Sequence, residues 1–566
     1  MRFHSAVAAV ALSVVSGLGC RTVHGAELEH RWVYVSRNLL PDENVPVVQD
    51  IFRRAAGAGY NGIVLTDSKF SRLHEMDQTY FDHVAAVKRT ADELGLEIIP
   101  CVMPIGYSSG ILAHDPNLAE GLPVRDALFV VRDGKADVIA DPPVALKNGD
   151  FEQVDGHKFG GWDWQENVGE SVFADTTVVH GGKVAARMEG IRTAAPEHGN
   201  CRFHQLVKVA PFRCYHIEAW TKTEGFENPG GVRIAVLTNS GKSLQYKHLD
   251  IRPTQDWTRQ DVVFNSLDNT EVRIYLGVWQ GRGGTLWWDE VKLEEVGLLN
   301  VLRRPGCPLI VRGEEGTAYE EGQDFAPVAD ERLGTVPWSG SYELYHAWPA
   351  LQLTPNSRLR EGQRLRVSFY HPVIMGGGQV MCCLSEPKVY EILKDQVQRV
   401  NALLQPRGFF MSHDEMRVAN WCKACQDRGM TPGEMLADNV RRCVGIIRDI
   451  RPDARIHVWS DMFDPNHNAR GDYYLVNGSW AGSWEGLPSD VVIINWFYRA
   501  RKENLPWFAD RGHQQILAGY YDKSEFYTPQ WLRDAEGIPG IAGVMYTTWR
   551  HQYDDLEGFA RAVWGG

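Results

Sequence analysis

Two adjacent acidic residues, Asp414 and Glu415, follow an apolar run from Gly408 to Met411 that is typical of a buried strand. A carboxylate at the end of such a strand needs a cation or a chemical task to offset the cost of burial. Neighbouring carboxyl groups that differ in burial have diverging pKa values, so one can donate a proton while the other stays ionised. The pair therefore predicts acid–base chemistry, and an ion pair with Arg417 or Arg550 is the structural alternative.

Polar and aromatic residues also stand at the ends of the other predicted strands. Side chains at the carboxyl ends of parallel barrel strands converge on one face, where they can surround one ligand. Tryptophan rings suit sugars in particular, because a sugar face offers C–H groups for stacking and hydroxyl groups at its rim. The predicted substrate-binding residues are Arg37, Asp67, His413, Trp459, Asp461, Trp496, Tyr498, Tyr521, Asp522 and Trp549.

The elements that must position these residues form two blocks in which strands alternate with helices. Three strands, at 32–36, 62–66 and 97–103, precede a long interruption, and five follow it, at 408–412, 455–460, 491–496, 515–520 and 543–548. Helices are predicted between strands, for example at 431–450, where Thr431 and Glu434 have the spacing of a capping box. This α/β pattern predicts a (β/α)8 TIM barrel, with its active site where the strands end. We assign residues 27–146 and 373–566 to the two parts of the barrel.

The interruption has a different residue pattern, with short strands of alternating apolar and polar residues separated by turn residues. Residues 147–299 predict a β-sandwich and residues 300–372 a second, small β unit, both inserted between barrel strands three and four. The segments 148–152 and 286–293 resemble the start and end of carbohydrate-binding jelly rolls of the family 4 and 9 type. That resemblance implies either a sugar-binding module or a spacer.

Residues 409–415 resemble the strand-four signature of glycoside hydrolase family 20, the β-N-acetylhexosaminidases. The resemblance implies that Glu415 is the general acid/base and that Asp414 orients the 2-acetamido group of the substrate, whose carbonyl oxygen attacks the anomeric carbon. Residues 35–37 and 99–106 are similar to strands one and three of that family, which implies that Arg37 holds the outer sugar hydroxyls. The implied activity is retaining cleavage of glycans that contain β-linked N-acetylhexosamine.

The sequence also departs from that family. His413 directly precedes Asp414, where the family usually has two glycines between its histidine and the acidic pair, and strand three lacks the family's Asp and His. Two alternatives stay open. In a classical double displacement, Glu415 keeps its role and Asp522 or Glu525 is the nucleophile, about 5 to 5.5 Å from the acid. In the other, the chain is a non-catalytic polysaccharide-binding protein.

Size and charge limit the function classes. A chain of 566 residues exceeds a single hydrophobic core, so several domains are expected. Its formal net charge of -13, without a long Lys/Arg run, argues against a nucleic-acid partner. An oligo- or polysaccharide is the predicted partner, no cofactor is predicted, and the sequence carries no signal for the oligomeric state.

The N-terminus and the cysteines bear on location and metal binding. Residues 1–26 have the layout of a signal peptide, which predicts a secreted or periplasmic protein; alternatively, Cys20 carries a lipid anchor, the one predicted link to a membrane. A disulfide between Cys201 and Cys214 is predicted. Cys422 and Cys425 have the spacing of half a zinc site, but no second pair with such spacing is present. We therefore predict a local disulfide or buried thiols, and no metal.

Overall fold

A computed structural model of the chain describes residues 28–334, 338, 340–520, 522 and 526–565. The predicted signal peptide and Cys20 lie outside the described residues. Within them, no helix combines the length and the apolar character needed to cross a membrane.

Eight parallel strands close into a barrel in chain order, as predicted. Three strands precede the insertion and five follow it. They are β1 His30–Ser36, β2 Gly62–Thr66, β3 Glu97–Val102, β4 Gly408–Met411, β5 Arg455–Trp459, β6 Val492–Asn495, β7 Gln515–Tyr520 and β8 Ile541–Thr547. Strand β3 pairs directly with β4, with Phe410 opposite Cys101, although about 300 residues of chain separate them. The insertion therefore leaves the barrel register intact.

Seven α-helices flank the barrel strands: α1 Asn44–Gly57, α2 Gln78–Glu93, α3 Pro387–Leu404, α4 Pro432–Ile450, α5 Arg501–Ala509, α6 Thr528–Asp534 and α7 Leu556–Trp564. The capping box at the start of α4 is confirmed, with Thr431 and Glu434 each bonded to the backbone of the other. Between β5 and β6, where every residue is described, the chain forms 3₁₀ turns at Asp461–Phe463 and Ser483–Gly486 instead of an α-helix. The ring of helices is thus one short of the predicted (β/α)8 array.

Large apolar side chains fill the barrel interior. Strand β4 is buried at all four positions because both of its faces are covered, one by the interior and one by helices. Gly62 lies opposite Trp32 in the β1–β2 pair, and a Cβ at this glycine would lie 2.5 Å from the indole ring. The Trp32 ring can therefore occupy this position only because residue 62 has no side chain. Trp459, at the end of β5, belongs to this core and also borders the cavity described below.

The insertion contains two five-stranded antiparallel sheets in a sandwich-like arrangement. One comprises Gln255–Asn265, Cys214–Glu224, Thr285–Glu295, Ala185–Met188 and Val172–Asp175, and the other Ser243–His248, Val232–Thr238, Glu271–Val278, Cys201–Lys208 and Trp164–Gln165. Trp288 of the first sheet and Phe203 of the second are fully buried. Alternating apolar residues therefore point inward from both sheets, as a sandwich core requires.

The small β unit is larger than predicted. Its six-stranded sheet contains Ala318–Tyr319, Ile310–Gly313, Arg364–His371, Leu122–Arg132, Lys135–Val138 and Leu351–Gln352. The boundary at residue 146 assigned the strands of 122–138 to the barrel, which is wrong. Leu122–Arg132 pairs antiparallel with Arg364–His371, and Lys135–Val138 with Leu351–Gln352; both partners are more than 200 residues away, and local pattern does not reveal them. Short ladders join Val154–Asp155 to Lys158–Phe159 and Val418–Ala419 to Leu475–Val476.

The predicted Cys201–Cys214 disulfide is also wrong. The two residues start strands of different sandwich sheets, and both thiols are free and buried. Cys201 contacts the Ser171 hydroxyl at 3.4 Å, and the Cys214 sulfur lies 3.9 Å from Nδ1 of His371. The two strands therefore carry the thiols into separate surroundings.

Candidate active site

A cavity of about 650 Å³ opens at the carboxyl ends of the barrel strands. Six of the predicted site residues line it. They are Asp67, Asp414, Glu415, Trp459, Trp496 and Trp549.

Asp414 lies at the floor of the cavity and is partly buried. Its Oδ1 accepts a hydrogen bond of 2.9 Å from the Ser412 hydroxyl, and Tyr34 and Cys101 lie close enough to interact with its charge. Burial raises the pKa of Asp414 to about 6. The floor is thus a carboxyl group set among weakly polar side chains.

Glu415 stands at the open side of the same cavity, with 28% of its side chain exposed. Its Oε2 accepts a hydrogen bond of 2.5 Å from the Tyr107 hydroxyl and lies 2.8 Å from Nη2 of Arg417. The ion pair with Arg417, expected as the structural alternative, therefore exists, but it borders a space large enough for a ligand. Arg550 is exposed.

Asp461 holds the backbone of the acidic pair in place through hydrogen bonds. Its Oδ2 accepts hydrogen bonds of 2.9 Å from the backbone N–H of Glu415 and from Nδ2 of Asn468, and its Oδ1 accepts one of 3.2 Å from Nε1 of Trp496. Burial, and then the charge of Asp414, raise the pKa of Asp461 to about 7. Asp461 does not line the cavity among the described residues, and its hydrogen bonds hold the backbone of Glu415 and the Trp496 ring instead.

Aromatic rings form one wall of the cavity. Trp459 packs edge-on against Phe410 at 4.9 Å between ring centroids and lies 5.6 Å from Trp549. Tyr34 contacts both tryptophans, at 5.9 and 5.5 Å. Trp459 is buried by these contacts, whereas Trp549 is 44% exposed and presents its ring at the cavity mouth.

The loop after β3 closes tightly over the acidic pair. A Cβ at Gly106 would lie 1.6 Å from the carbonyl oxygen of Asp414, so only glycine permits this approach. Nε2 of Gln379 donates to the carbonyl oxygens of Gly106 and Glu415, at 3.0 and 2.8 Å. Sequence reasoning missed Tyr107 and Gln379; the proximity of Tyr107 to the strand-three segment was the available signal for the first.

His413 was predicted in the pocket but faces away from it. The residue is fully buried, with Nε2 3.0 Å from Oδ1 of Asn439 on α4. Burial lowers the pKa of His413 to about 4, so the ring is neutral near pH 7. Its role is to attach the end of β4 to the helical layer.

Asp67 lines the cavity, but its oxygens are engaged in holding the loop after β2. They accept hydrogen bonds of 2.9 Å from the backbone N–H groups of Leu39 and Lys69 and from the Tyr80 hydroxyl. A structural role therefore accounts for its burial, and the predicted role in substrate binding is not needed to explain it.

Three further predicted residues, Tyr498, Asp522 and Arg37, do not line the cavity among the described residues. Tyr498 stacks on Tyr527, at 5.1 Å between ring centroids. Asp522 accepts hydrogen bonds from the Thr548 hydroxyl and, at 2.9 Å, from the backbone N–H of Trp549. Arg37 is half-buried at the end of β1. Tyr521 lies outside the described residues.

The arrangement brings together two adjacent carboxyl groups, a tyrosine hydroxyl and a guanidinium beside an aromatic wall. Such a set can transfer a proton at one carboxyl and stabilise a developing positive charge at the other.

Comparisons with known proteins add little at this level of similarity. Neither a protein-family model nor a curated protein matches the chain. Among solved structures, a family 16 carbohydrate-binding module is 23% identical and covers 26% of this chain and 99% of its own, with a TM-score of 0.19. A rhamnosidase from Novosphingobium sp. PP1Y is 10% identical and covers 93% of this chain and 55% of its own, with a TM-score of 0.32. Scores of this size carry no weight for function, which must be argued from the cavity itself.

Proposed function

We propose that the protein is a retaining glycoside hydrolase that acts on glycans containing β-linked N-acetylhexosamine, with assistance from the substrate's own acetamido group. One observation carries the proposal: Asp414 and Glu415 line a single cavity, where burial raises the pKa of Asp414 to about 6 and the Glu415 side chain is 28% exposed. The two groups can therefore contact different parts of one sugar.

The floor suits an acetamido group. When ionised, the Asp414 carboxylate accepts the amide N–H of the substrate, while the Tyr34 and Trp459 rings pack against its methyl group. The same carboxylate stabilises the positive charge of the cyclic oxazolinium formed when the acetamido oxygen attacks the anomeric carbon. Water then opens this intermediate, so the anomeric configuration is retained.

The open side suits the leaving group. Glu415 donates a proton to the departing glycosidic oxygen and then, as a carboxylate, accepts one from the attacking water. In the substrate-free protein Glu415 is paired with Arg417 and accepts a hydrogen bond from Tyr107. Substrate must therefore open the Arg417 pair before Glu415 can act as the acid.

The two alternatives have less support. Both oxygens of Asp522 accept hydrogen bonds from the loop after β8, and this residue does not line the cavity among the described residues, which argues against a nucleophilic role. Glu525 lies outside the described residues. A purely binding site has no use for a carboxyl group whose partial burial raises its pKa, since that desolvation costs free energy that a binding pocket could avoid.

A panel of matched aryl glycosides with and without the 2-acetamido group tests the proposal. We expect turnover of the 2-acetamido sugars and at most trace turnover of the 2-hydroxy sugars, because the latter lack the internal nucleophile. Equal turnover of both series would instead support an enzyme nucleophile, and binding of sugars without turnover would support the non-catalytic alternative.

A further inference from the structure

Three thiols and one carboxylate converge in the interior, away from the cavity lining. They belong to Cys383, Cys422, Cys425 and Glu120, and their candidate ligand atoms all lie within 4.8 Å of one another. None of the four residues is more than 2% exposed. A buried carboxylate beside three thiols needs a partner to offset its desolvation.

These residues come from three separate places in the fold. Glu120 lies where the chain leaves the barrel after β3, and Cys383 lies where it returns before α3. Cys422 directly precedes the one-turn helix Lys423–Gln426, and Cys425 lies within it. Both belong to the segment that follows Glu415. Sites assembled from distant segments in this way are typical of structural metal centres, which contribute directly to folding.

The distances fit a tetrahedral cation. The sulfur of Cys383 lies 3.5 Å from those of Cys422 and Cys425. Oε2 of Glu120 lies 3.6 Å from the Cys422 sulfur and 3.3 Å from that of Cys425. Around a zinc ion with ordinary bond lengths, ligand atoms are separated by about 3.8 Å for two sulfurs and about 3.5 Å for a sulfur and an oxygen.

The surroundings hold the ligand atoms in place. The other carboxylate oxygen of Glu120, Oε1, accepts hydrogen bonds of 2.7 and 2.9 Å from the backbone N–H groups of Trp421 and Cys422, which leaves Oε2 facing the sulfurs. The Ser385 hydroxyl donates to the Cys425 sulfur at 3.2 Å. Such hydrogen bonds orient metal ligands and increase their affinity for the cation.

A positive charge also stands nearby. The side chain of Arg304 is 6% exposed and lies close enough to Cys383 and Cys422 to interact with their charge. Three thiolates and a carboxylate exceed the charge of one divalent cation, and Arg304, which is also paired with Glu386, places a buried guanidinium beside them. Cys307 contacts Cys422 through its thiol but is not part of the group in which all ligand atoms are mutually close.

We propose that Cys383, Cys422, Cys425 and Glu120 bind one structural divalent cation of the zinc type. All four positions are filled by protein, so the ion has no open position for catalysis. It fastens the two ends of the insertion to the segment that follows Glu415, and thereby fixes the loop that carries the acidic pair. The expectation of no metal assumed that a second cysteine pair was required, whereas the fold supplies one cysteine and one glutamate.

Metal analysis of the purified full-length protein tests the site. After expression with zinc and dialysis against a weak chelator, we expect one zinc per chain. Replacement by Co²⁺ should give the visible absorption of a tetrahedral ion and a thiolate-to-cobalt charge-transfer band. Cys383→Ser and Cys425→Ser should each lose most of the bound metal, whereas Cys201→Ser, a buried thiol in the sandwich, should retain it.

The wild-type spectrum keeps the test decisive if the cysteine variants fail to fold. Wild-type protein with fully reduced thiols that takes up neither zinc nor cobalt would overturn the proposal, as would a disulfide among Cys383, Cys422 and Cys425 in zinc-supplied protein. Glu120→Gln should alter the cobalt spectrum and Cys307→Ser should not; the reverse result would overturn the ligand assignment.

Discussion

The barrel cavity and the outer face of one sandwich sheet are both rich in aromatic rings, but they differ in their acidic groups. On the sandwich, Trp164 is 38% exposed and stacks on His204 at 5.5 Å, and His204 contacts Tyr275 at 4.7 Å. Both oxygens of Glu166 beside this face are held by Arg202, at 3.0 and 2.6 Å. In the cavity, the rings instead border the partly buried carboxyl group of Asp414, whose pKa is raised to about 6.

This difference separates binding from catalysis. Exposed rings can stack on sugars wherever they occur, because stacking needs only a flat apolar face. Proton transfer needs a carboxyl group whose surroundings control its charge. Under the proposed function, the sandwich face would hold a polysaccharide and the cavity would cleave it.

The largest effect should come from Glu415→Gln. This change removes the proton donor, so kcat for substrates with a poor leaving group should fall about 100- to 10,000-fold. Substrates with an activated leaving group should be affected far less in the bond-breaking step, since they need little protonation. Comparing kcat for a series of leaving groups checks this, and a loss that is independent of the leaving group would remove Glu415 from the role of acid.

Asp414 should control the acid side of the pH profile. Burial raises the pKa of Asp414 to about 6, so the group is protonated below that pH and ionised above it. Only the carboxylate can stabilise the oxazolinium, and kcat/KM for 2-acetamido substrates should therefore decrease as the pH falls through about 6. Asp414→Asn should lower kcat/KM about 100-fold or more even with activated leaving groups, and abolish this limb.

A full rate for Asp414→Asn together with loss of activity in Asp522→Asn would contradict the assignment. Double displacement with a nucleophile after β7 would then replace substrate assistance.

Gly106→Ala tests how closely the pair must be held. The added Cβ would lie 1.6 Å from the Asp414 carbonyl oxygen, which is far inside van der Waals contact. The loop or the Asp414 backbone must therefore move by more than an ångström. Displacement of about 1 Å can reduce turnover by about 100-fold, and we expect a decrease in kcat approaching that size. Gly377→Ala is the matched control, because no heavy atom lies within 4 Å of its added Cβ. Equal kinetics for both variants would show that the loop tolerates movement.

The barrel strands could be predicted from sequence because each is a continuous apolar run that both layers bury. Strand β4 illustrates this, since Gly408–Met411 is predicted and found within one residue. The orientation of the residues after it could not be predicted. His413 and Glu415 have φ values of +50° and +46°, which interrupt the alternation of an extended chain. His413 therefore faces α4, whereas Asp414 and Glu415 face the cavity.

Long-range pairing was the second limit. The strand Leu122–Arg132 and the cysteine cluster both depend on contacts between segments separated by more than 200 residues. Local periodicity reports burial but not the partner, so neither the enlarged β unit nor the approach of Glu120 to Cys425 was visible.

A smaller effect is expected from Trp549→Ala. Its ring is 44% exposed at the cavity mouth, where it can stack on bound sugar. Aromatic stacking contributes about 0.5–1.5 kcal/mol, so KM should rise roughly 2- to 10-fold while kcat changes little. Steady-state kinetics on an aryl glycoside measure both constants, and unchanged values would assign this ring to packing alone.

The smallest effect on turnover should come from Trp164→Ala, which removes the most exposed ring of the sandwich face. The ring lies on the insertion and does not line the cavity among the described residues, so kcat and KM for a small aryl glycoside should stay unchanged. Binding to an insoluble polysaccharide should weaken roughly 2- to 10-fold if this face holds the polymer. A pull-down assay with the polysaccharide measures that loss.

Tyr246→Ala is the informative partner of Trp164→Ala, because Tyr246 also belongs to the sandwich but faces the barrel. Its ring lies 5.9 Å from that of Tyr474, which in turn lies 5.2 Å from the guanidinium of Arg417. Loss of Tyr246 should therefore disturb the ion pair between Arg417 and Glu415 and change the kinetics of a small substrate. Trp164→Ala should leave those kinetics unchanged. If instead Trp164→Ala changes kcat and Tyr246→Ala has no effect, the face that contacts the active site is the outer one, and binding and catalysis are not divided between the two regions.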